Sequence, residues 1–192
     1  MDPRDFDRQV LRTIDPIMRS VTAEHLNLPS PCQGWRLGEL LCHMIDQHRG
    51  FAAAAQGHPA VPQWWEGATL GERPYETYKE AADAVTAAFA DPQLYDRNLA
   101  IYGYGVIPAK ATLHMHAVDY LAHGWDVAKT IGVDAALDEA LCAHGLGIAL
   151  RWPESAFVKG DPFGAHVPVA DDATACQKLM AYLGRDPHWT AH

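Results

Sequence analysis

The sequence predicts a mainly α-helical protein, a four-helix bundle with a small C-terminal extension that carries extended segments and a short helix. Four segments of helical length precede residue 132, and their apolar residues recur at intervals of three and four. Stretches rich in Pro and Gly separate these segments. A chain of 192 residues can bury a substantial core as one domain with an appendage. A helical bundle is therefore the economical architecture.

The first three helices are predicted from apolar periodicity and from turn residues. The first covers about residues 6–27, and Pro16 is expected to kink or restart it. A rigid loop at 28–35 leads to a second helix at about 36–56, which Gly57 ends. A second loop containing Trp64 and Trp65 precedes the third helix, at 75–90.

The remainder of the chain alternates irregular and helical segments. Residues 98–108 contain too much Gly for a helix, so they are irregular or form a short hairpin. The fourth helix covers 112–130 and ends at Gly132, and a shorter one covers 138–150. Residues 157–169 are expected to be extended and turn-rich, before a last helix at 174–183. We therefore expect a bundle domain at 1–151 and an extension at 152–192 packed on it.

The fourth helix has an unusual polar strip. At roughly 100° per residue the strip is about 80° wide. One alternative is a solvated face, but such faces are usually filled with Lys, Glu and Arg side chains. This strip holds only His, Asp and Thr, which bind ligands or form hydrogen bonds. Its members are Thr112, His116, Asp119, His123, Asp126 and Thr130.

Asp119 and His123 in this strip have the spacing of two ligands to one metal ion. Residues four apart on a helix have Cβ atoms about 6 Å from each other. His116 is some 10 Å from His123 along the helix axis, so one ion is not expected to hold both. A third ligand must come from elsewhere in the chain. His43 lies at the edge of the apolar stripe of the second helix, where a histidine by itself is more often structural than a ligand.

Composition limits the partners and the compartment. A formal charge of −9 and a pI of about 5.6 argue against nucleic acid, which requires clustered Lys and Arg. No stretch reaches the 18 or so apolar residues of a membrane span, and the N-terminus lacks a signal-peptide pattern, so a cytoplasmic protein without a membrane partner is expected. The four cysteines form no C-x-x-C pair, and reduced thiols are expected at Cys32, Cys42, Cys142 and Cys176.

Several ordered blocks also resemble a known family. They are SPCQGW at residues 30–35, ELLCH at 39–43, DYLAHGWDVA at 119–128 and LGRDP at 183–187. Together they resemble the actinobacterial metal-binding proteins of the DinB-like superfamily, relatives of mycothiol-dependent maleylpyruvate isomerase. The resemblance implies a divalent metal bound by His43, Asp119 and His123. It also implies a difference, because the isomerase has Glu where this chain has Asp119.

The ligand set itself indicates the chemistry. Two histidines and a carboxylate suit zinc, with nickel, iron or manganese as alternatives. Three protein ligands leave a position for water or substrate, and a metal there lowers the pKa of a bound water or thiol. Asp126 is expected to orient the imidazole of His123 or to help position substrate, although capping a local backbone group is an alternative.

Two function classes follow, and the sequence assigns no catalytic residue. The first is a transferase or isomerase that uses mycothiol, or another low-molecular-weight thiol, on a small electrophile. The second is a metal-binding bundle without turnover, since a fold does not fix an activity. A metal-dependent hydrolase is a third alternative, and a homodimer is an open alternative for the assembly.

Overall fold

The structure is a computed structural model that describes residues 1–157 and 163–191. In these residues the chain forms six α-helices and one antiparallel hairpin. The helices are α1 (Pro3–Arg19), α2 (Leu37–Ala55), α3 (Pro74–Phe89), α4 (Ala109–Ile131), α5 (Glu139–Ala149) and α6 (Ala175–Tyr182), and the strands are β1 (Asn98–Ile101) and β2 (Gly105–Pro108).

Helices α1 to α4 form the predicted four-helix bundle, in which α1 packs along α4 and α2 packs along α3. Gly124 explains how closely α1 approaches α4. A Cβ atom at this position would lie 2.3 Å from Cγ2 of Ile14, which no side chain tolerates without a shift. The glycine therefore lets α1 pack against the turn of α4 that carries His123. The prediction of a mainly α-helical bundle with a small C-terminal extension is confirmed.

The first helix differs from its prediction. Helix α1 ends at Arg19, and a separate 3₁₀ turn at Ala23–Asn27 follows it. Pro16 lies inside α1, and the helix does not restart there. A proline removes one backbone donor, and the other hydrogen bonds of the turn can continue the helix past it.

The glycine-rich segment forms the short hairpin that was one of the two alternatives. Asn98 pairs with Pro108 and Ile101 pairs with Gly105. Leu99 and Ile101 are buried, so β1 packs on the helices. Because α4 begins directly after β2, the hairpin lies at the N-terminal end of the helix that carries the polar strip.

The C-terminal segment packs on α5 and on the bundle through α6. Leu179 and Met180 are fully buried in the same core as Phe6. A disulfide joins Cys142 on α5 to Cys176, so the prediction of four reduced thiols is wrong for this pair. The two cysteines are 34 residues apart, and only the packing of α6 on α5 brings them together.

Of the predictions for the C-terminal part of the chain, one is tested in part and one is not tested. The predicted extended segment at 157–169 includes 158–162, which lie outside the described residues, while 163–169 form neither helix nor strand. The division of the chain into domains at residue 151 stays a prediction. Across the described residues, no helix combines the length and the apolar composition that crossing a bilayer requires.

Candidate metal centre

The polar strip of α4 is buried in the bundle. The side chain of Asp119 is 13% exposed, and it faces a cavity. The alternative of a solvated face is therefore wrong, and each polar group needs a partner inside the protein. The fully or almost fully buried members of the strip are Thr112, His116, His123, Asp126 and Thr130.

The N-terminal half of the strip forms hydrogen bonds in the core. The hydroxyl of Thr112 donates to the carbonyl of Pro108 at 3.2 Å. The Nδ1 atom of His116 is hydrogen-bonded to the carboxylate of Asp7 on α1. Its Nε2 atom lies 3.0 Å from Nδ1 of His48 on α2. His116 therefore links three helices and has no nitrogen left for a metal, in agreement with the separation from His123 expected from the sequence.

The C-terminal half of the strip brings the three predicted ligands together. Nε2 of His123 lies 3.3 Å from Oδ1 of Asp119, and the ring centroids of His43 and His123 are 5.3 Å apart. One donor atom from each of the three residues lies within 4.8 Å of the other two. Two ligands on one tetrahedral zinc are about 3.3 Å apart when each bond is about 2.0 Å. The separation of Asp119 and His123 matches this value, and the donor atom of His43 lies within 4.8 Å of both.

Two buried ring nitrogens of this group, Nε2 of His43 and Nε2 of His123, form no well-aligned hydrogen bond with a described residue. Nε2 of His123 has the ionic contact with Asp119 at 3.3 Å, so Nε2 of His43 is the one without a described partner. A buried polar atom without a partner is costly, and a ligand at this position would satisfy Nε2 of His43. His48, His114 and His144 also have an unpaired Nε2, but only His43 and His123 converge with a carboxylate.

The loop before α2 holds groups on both sides of the site. The hydroxyl of Ser30 donates to the carbonyl of Trp35 at 2.9 Å, and the amide of Trp35 donates to the carbonyl of Cys32 at 3.0 Å. The indole of Trp35 lies 4.8 Å from the ring of His43, centroid to centroid. The same turn directs the thiol of Cys32 towards α4.

Asp126 lies behind the ring of His123, on the side away from Asp119. Its Oδ2 atom is 3.0 Å from Nδ1 of His123 and 3.1 Å from Sγ of Cys32. Nη2 of Arg185 donates to the same oxygen at 2.9 Å, and Nε donates to Oδ1 at 3.3 Å. The side chain of Asp126 thus contacts the imidazole and two other side chains, which fits the orienting alternative better than capping of a backbone group.

Cys32 and Arg185 were not assigned any role from the sequence. Both lie within the blocks at 30–35 and 183–187 that carry the family resemblance, so a signal was present without a function attached. Cys32, His123 and Asp126 also place donor atoms within 4.8 Å of one another. However, the guanidinium of Arg185 lies 3.4 Å from Sγ of Cys32 as well as against Asp126. A fixed positive charge there repels a second cation, so this group is not a second metal site.

The charges of the site are set by burial and by two carboxylates. Burial and the neighbouring His123 lower the pKa of His43 to about 4, so this ring is neutral at pH 7. Burial also opposes a proton on His123, but Asp119 and Asp126 outweigh it and raise the pKa of His123 well above the usual range. Burial would raise the pKa of Asp119, yet His123 holds it below its ordinary value. Without a metal, His123 therefore keeps a proton between two carboxylates.

A cavity of about 480 Å³ opens above His43 and Asp119. Its walls come from α2, the loop before α3, the hairpin, α4 and the C-terminal segment. Most of the lining side chains are aromatic or aliphatic, and Gln47 and Glu66 are the polar ones beside the two predicted ligands. An ion bound at the three residues would thus face a space large enough for a small molecule.

The sequence matches a known protein family over most of the bundle. Residues 8–128 match the family described as the mycothiol maleylpyruvate isomerase N-terminal domain. The chain belongs to this family. The matched residues include all four bundle helices except the ends of α1 and α4, together with the three predicted ligands.

Two curated proteins are similar to this chain along almost their whole length. They are uncharacterized proteins of Mycobacterium tuberculosis, MT0763 of strain CDC 1551 / Oshkosh and Rv0738 of strain ATCC 25618 / H37Rv. Each is 25% identical to this chain over 189 residues, which cover 96% of this chain and 98% of the relative.

Solved structures show that the fold is shared with an enzyme of the family. The crystal structure of the mycothiol-dependent maleylpyruvate isomerase superposes with a TM-score of 0.57 at 15% identity. A histidine-to-alanine mutant of that enzyme gives 0.58 at 14%. Each match covers 75% of this chain and 66% of the isomerase chain, slightly under two thirds. At this identity the likeness establishes the fold alone.

Proposed function

We propose that the protein binds one divalent metal ion through His43, Asp119 and His123 and uses it with a low-molecular-weight thiol on a small electrophile. The observation that carries the proposal is the convergence of three donor atoms within 4.8 Å at the base of a cavity. The unpaired Nε2 atom of His43 supports it, because a metal would give this buried nitrogen a partner.

Zinc is the metal that this ligand set favours. Two imidazole nitrogens and one carboxylate are typical of catalytic zinc, and nickel, iron or manganese accept the same donors. Three protein ligands leave a coordination position open towards the cavity. When bound, such a metal lowers the pKa of a thiol or water that reaches it and so supplies a nucleophile at neutral pH.

The protein's own residues prepare the ligands. Asp126 contacts Nδ1 of His123, which leaves Nε2 of that ring on the side of Asp119 and His43. Arg185 and Cys32 in turn contact Asp126, so this carboxylate cannot rotate without losing buried bonds. The low pKa of His43 keeps its lone pair free at neutral pH.

The family supports mycothiol as the thiol. The cavity would hold the thiol and the electrophile together over the open coordination position, so that the electrophile is attacked or isomerised through a thiol adduct. With both molecules bound, the aromatic walls would limit the access of water and so protect a thiolate from protonation. We propose a transferase or an isomerase on these grounds.

Metal analysis and turnover test the proposal separately. The protein is purified without added metal and compared with a His43→Ala, His123→Ala double variant. A second double variant, His58→Ala, His188→Ala, removes two exposed histidines and serves as the control. We expect about one metal per chain in the wild type and the control, and none in the first variant.

The second measurement is the consumption of a panel of small electrophiles by the metal-loaded protein, with and without mycothiol. The proposal expects a rate that requires both the thiol and the metal. Equal metal content in the two double variants would contradict the assignment of the metal site to His43 and His123. A metal-bound protein without any thiol-dependent rate would instead leave a binding protein, and a rate with water alone would indicate a hydrolase.

A further inference from the structure

The walls of the cavity above the predicted ligands are aromatic and poor in positive charge. Phe51, Trp65, Trp152 and Phe163 line it from three separate parts of the chain. Among the described residues that line it, there is no Lys or Arg, and the charged side chain away from the metal ligands is the acidic Glu66. Among the described residues, a ligand in this space therefore meets mostly apolar side chains, the neutral polar groups of Gln47, Tyr102 and Tyr104, and one acidic side chain.

These rings are held in place by packing. The ring of Phe51 lies 5.1 Å from that of Trp65, and Trp152 lies 5.5 Å from Phe163, centroid to centroid. Trp65 packs directly on the backbone of α2, because a Cβ atom on Gly50 would lie 2.2 Å from its ring. Walls that are already packed lose little freedom on binding and favour flat apolar groups.

A carboxylate at the far end of a ligand would bind poorly here. It would lose part of its hydration among aromatic side chains, and the described lining offers it neutral donors such as Gln47 but no cation, while the exposed Glu66 adds a screened repulsion. The formal charge of −9 adds a general repulsion. The charge of a bound metal acts at the base of the cavity, where Asp119 already offsets part of it, so it attracts an anionic group only there.

We infer that the electrophile of this site carries an uncharged apolar or aromatic group at the end that points away from His43 and Asp119. The inference rests on the proposed function for the reacting end of the molecule. A dicarboxylate such as maleylpyruvate would not belong to this class of substrate. For an aryl enone, the thiol sulfur forms a bond to the β-carbon, the π-electron pair moves towards the carbonyl, and the proton of the thiol ends on the α-carbon.

Binding of unreactive analogues tests the inference without any turnover. Benzylacetone and its para-carboxylate share the ketone side chain and the ring, and they differ by one charged group at the far end of the ring. Both are titrated calorimetrically into metal-free and zinc-loaded protein. We expect benzylacetone to bind at least about tenfold more tightly in both forms, since the carboxylate stays unpaired. Equal or tighter binding of the para-carboxylate in both forms, or no binding of either ketone, overturns the inference.

A pair of charge variants locates the effect in the cavity. Glu66→Lys places a positive charge at the wall, and Glu72→Lys makes the same change of net charge at an exposed position outside the lining. We expect Glu66→Lys to reduce the ratio of the affinity for benzylacetone to the affinity for the para-carboxylate by at least about threefold. Glu72→Lys should leave this ratio unchanged. Equal effects of the two variants would mean that net charge, and not the wall, sets the preference, which also overturns the inference.

Turnover distinguishes failure of the inference from failure of the proposed function. Benzylideneacetone and its para-carboxylate are supplied with mycothiol, and each rate is divided by the uncatalysed rate. A selective acceleration of the neutral enone supports both proposals. Acceleration that favours the para-carboxylate overturns the inference and leaves the proposed function standing. Selective binding of benzylacetone, without turnover of either enone or of any electrophile in the panel, supports the inference and contradicts the proposed function. Tighter binding of a para-trimethylammonium analogue than of benzylacetone would show that the site prefers a cationic group. This result would overturn the inference of an uncharged group.

Discussion

Oδ2 of Asp126 lies 3.0 Å from Nδ1 of His123, on the opposite side of the ring from Asp119. The spacing of three residues places both side chains on the same face of α4, so a single helix supplies a predicted ligand and the group that orients it. Arg185 arrives from the end of the chain and fixes the carboxylate from behind. The segment after α6 thus contacts the predicted metal centre through one intermediate residue.

The first prediction concerns this orienting contact. Asp126→Asn should weaken zinc affinity by about tenfold to a hundredfold, because the ring of His123 loses a negatively charged partner that fixes its orientation. The measurement is competition with a zinc chelator at pH 7. Asp172→Asn, a change at an exposed aspartate, is the control. Unchanged affinity in Asp126→Asn, with the fold intact by circular dichroism, would show that the orientation of His123 does not depend on Asp126.

The second prediction concerns protons released on metal binding. The pKa of His123 is raised well above its usual value by Asp119 and Asp126 against the effect of burial, so the metal-free ring is protonated at pH 7. His43, with a pKa of about 4, is already neutral. Zinc should therefore displace about one proton at pH 7, and its affinity should rise with pH until the raised pKa of His123 is passed.

Calorimetry in two buffers of different ionisation enthalpy measures this proton directly. The Asp126→Asn variant is the useful comparison, because losing one of the two carboxylates lowers the pKa of His123 and so lowers the number of protons released at pH 7. Zinc binding with no proton release between pH 6 and pH 8 would contradict the protonation state that we assign to His123.

The sequence predicted the bundle and the convergent ligands for different reasons. Helix positions follow from apolar periodicity, which is local, and the i, i+4 pair of Asp119 and His123 follows from helix geometry alone. His43 could not be chosen from its own surroundings, since its position at the edge of a stripe is common. The family resemblance selected it, and the structure places it 5.3 Å from His123, ring to ring.

Other features depend on contacts that no local pattern encodes. The bond between Cys142 and Cys176 requires α6 to pack on α5. Arg185 reaches Asp126 across 59 residues of sequence. The hydrogen-bonding role of His116 could likewise not be predicted, because its partners Asp7 and His48 lie on two other helices. Long-range packing decides which polar residues of a strip serve structure and which serve a site.

The third prediction uses this division of the strip. His116→Ala removes the partner of a buried carboxylate, Asp7, and should lower the free energy of unfolding by about 2–4 kcal/mol. Zinc affinity should change less than about threefold, because His116 contributes no ligand. Urea unfolding of the metal-free protein and chelator competition measure the two quantities. A stable variant that has lost zinc would place the metal one turn earlier on α4 than we propose.

The last prediction concerns the length of the acidic ligand, where the family resemblance implies Glu and this chain has Asp. Asp is about 1.3 Å shorter, and zinc bonds tolerate errors of only about 0.2 Å. In the structure, Oδ1 of Asp119 nevertheless lies 3.3 Å from Nε2 of His123, close to the separation of two ligands on one tetrahedral ion. The shorter side chain therefore reaches the centre from this backbone. Asp119→Asn should weaken zinc binding by about tenfold to a hundredfold, and His123→Ala should abolish it.

The zinc affinity of Asp119→Glu should fall between that of the wild type and that of Asp119→Asn, because the variant keeps the charge while its carboxylate extends past the metal into the cavity. If Asp119→Glu bound zinc more tightly than the wild type, the backbone would be placed for the longer ligand, and Asp119 would contact the metal only weakly or through water.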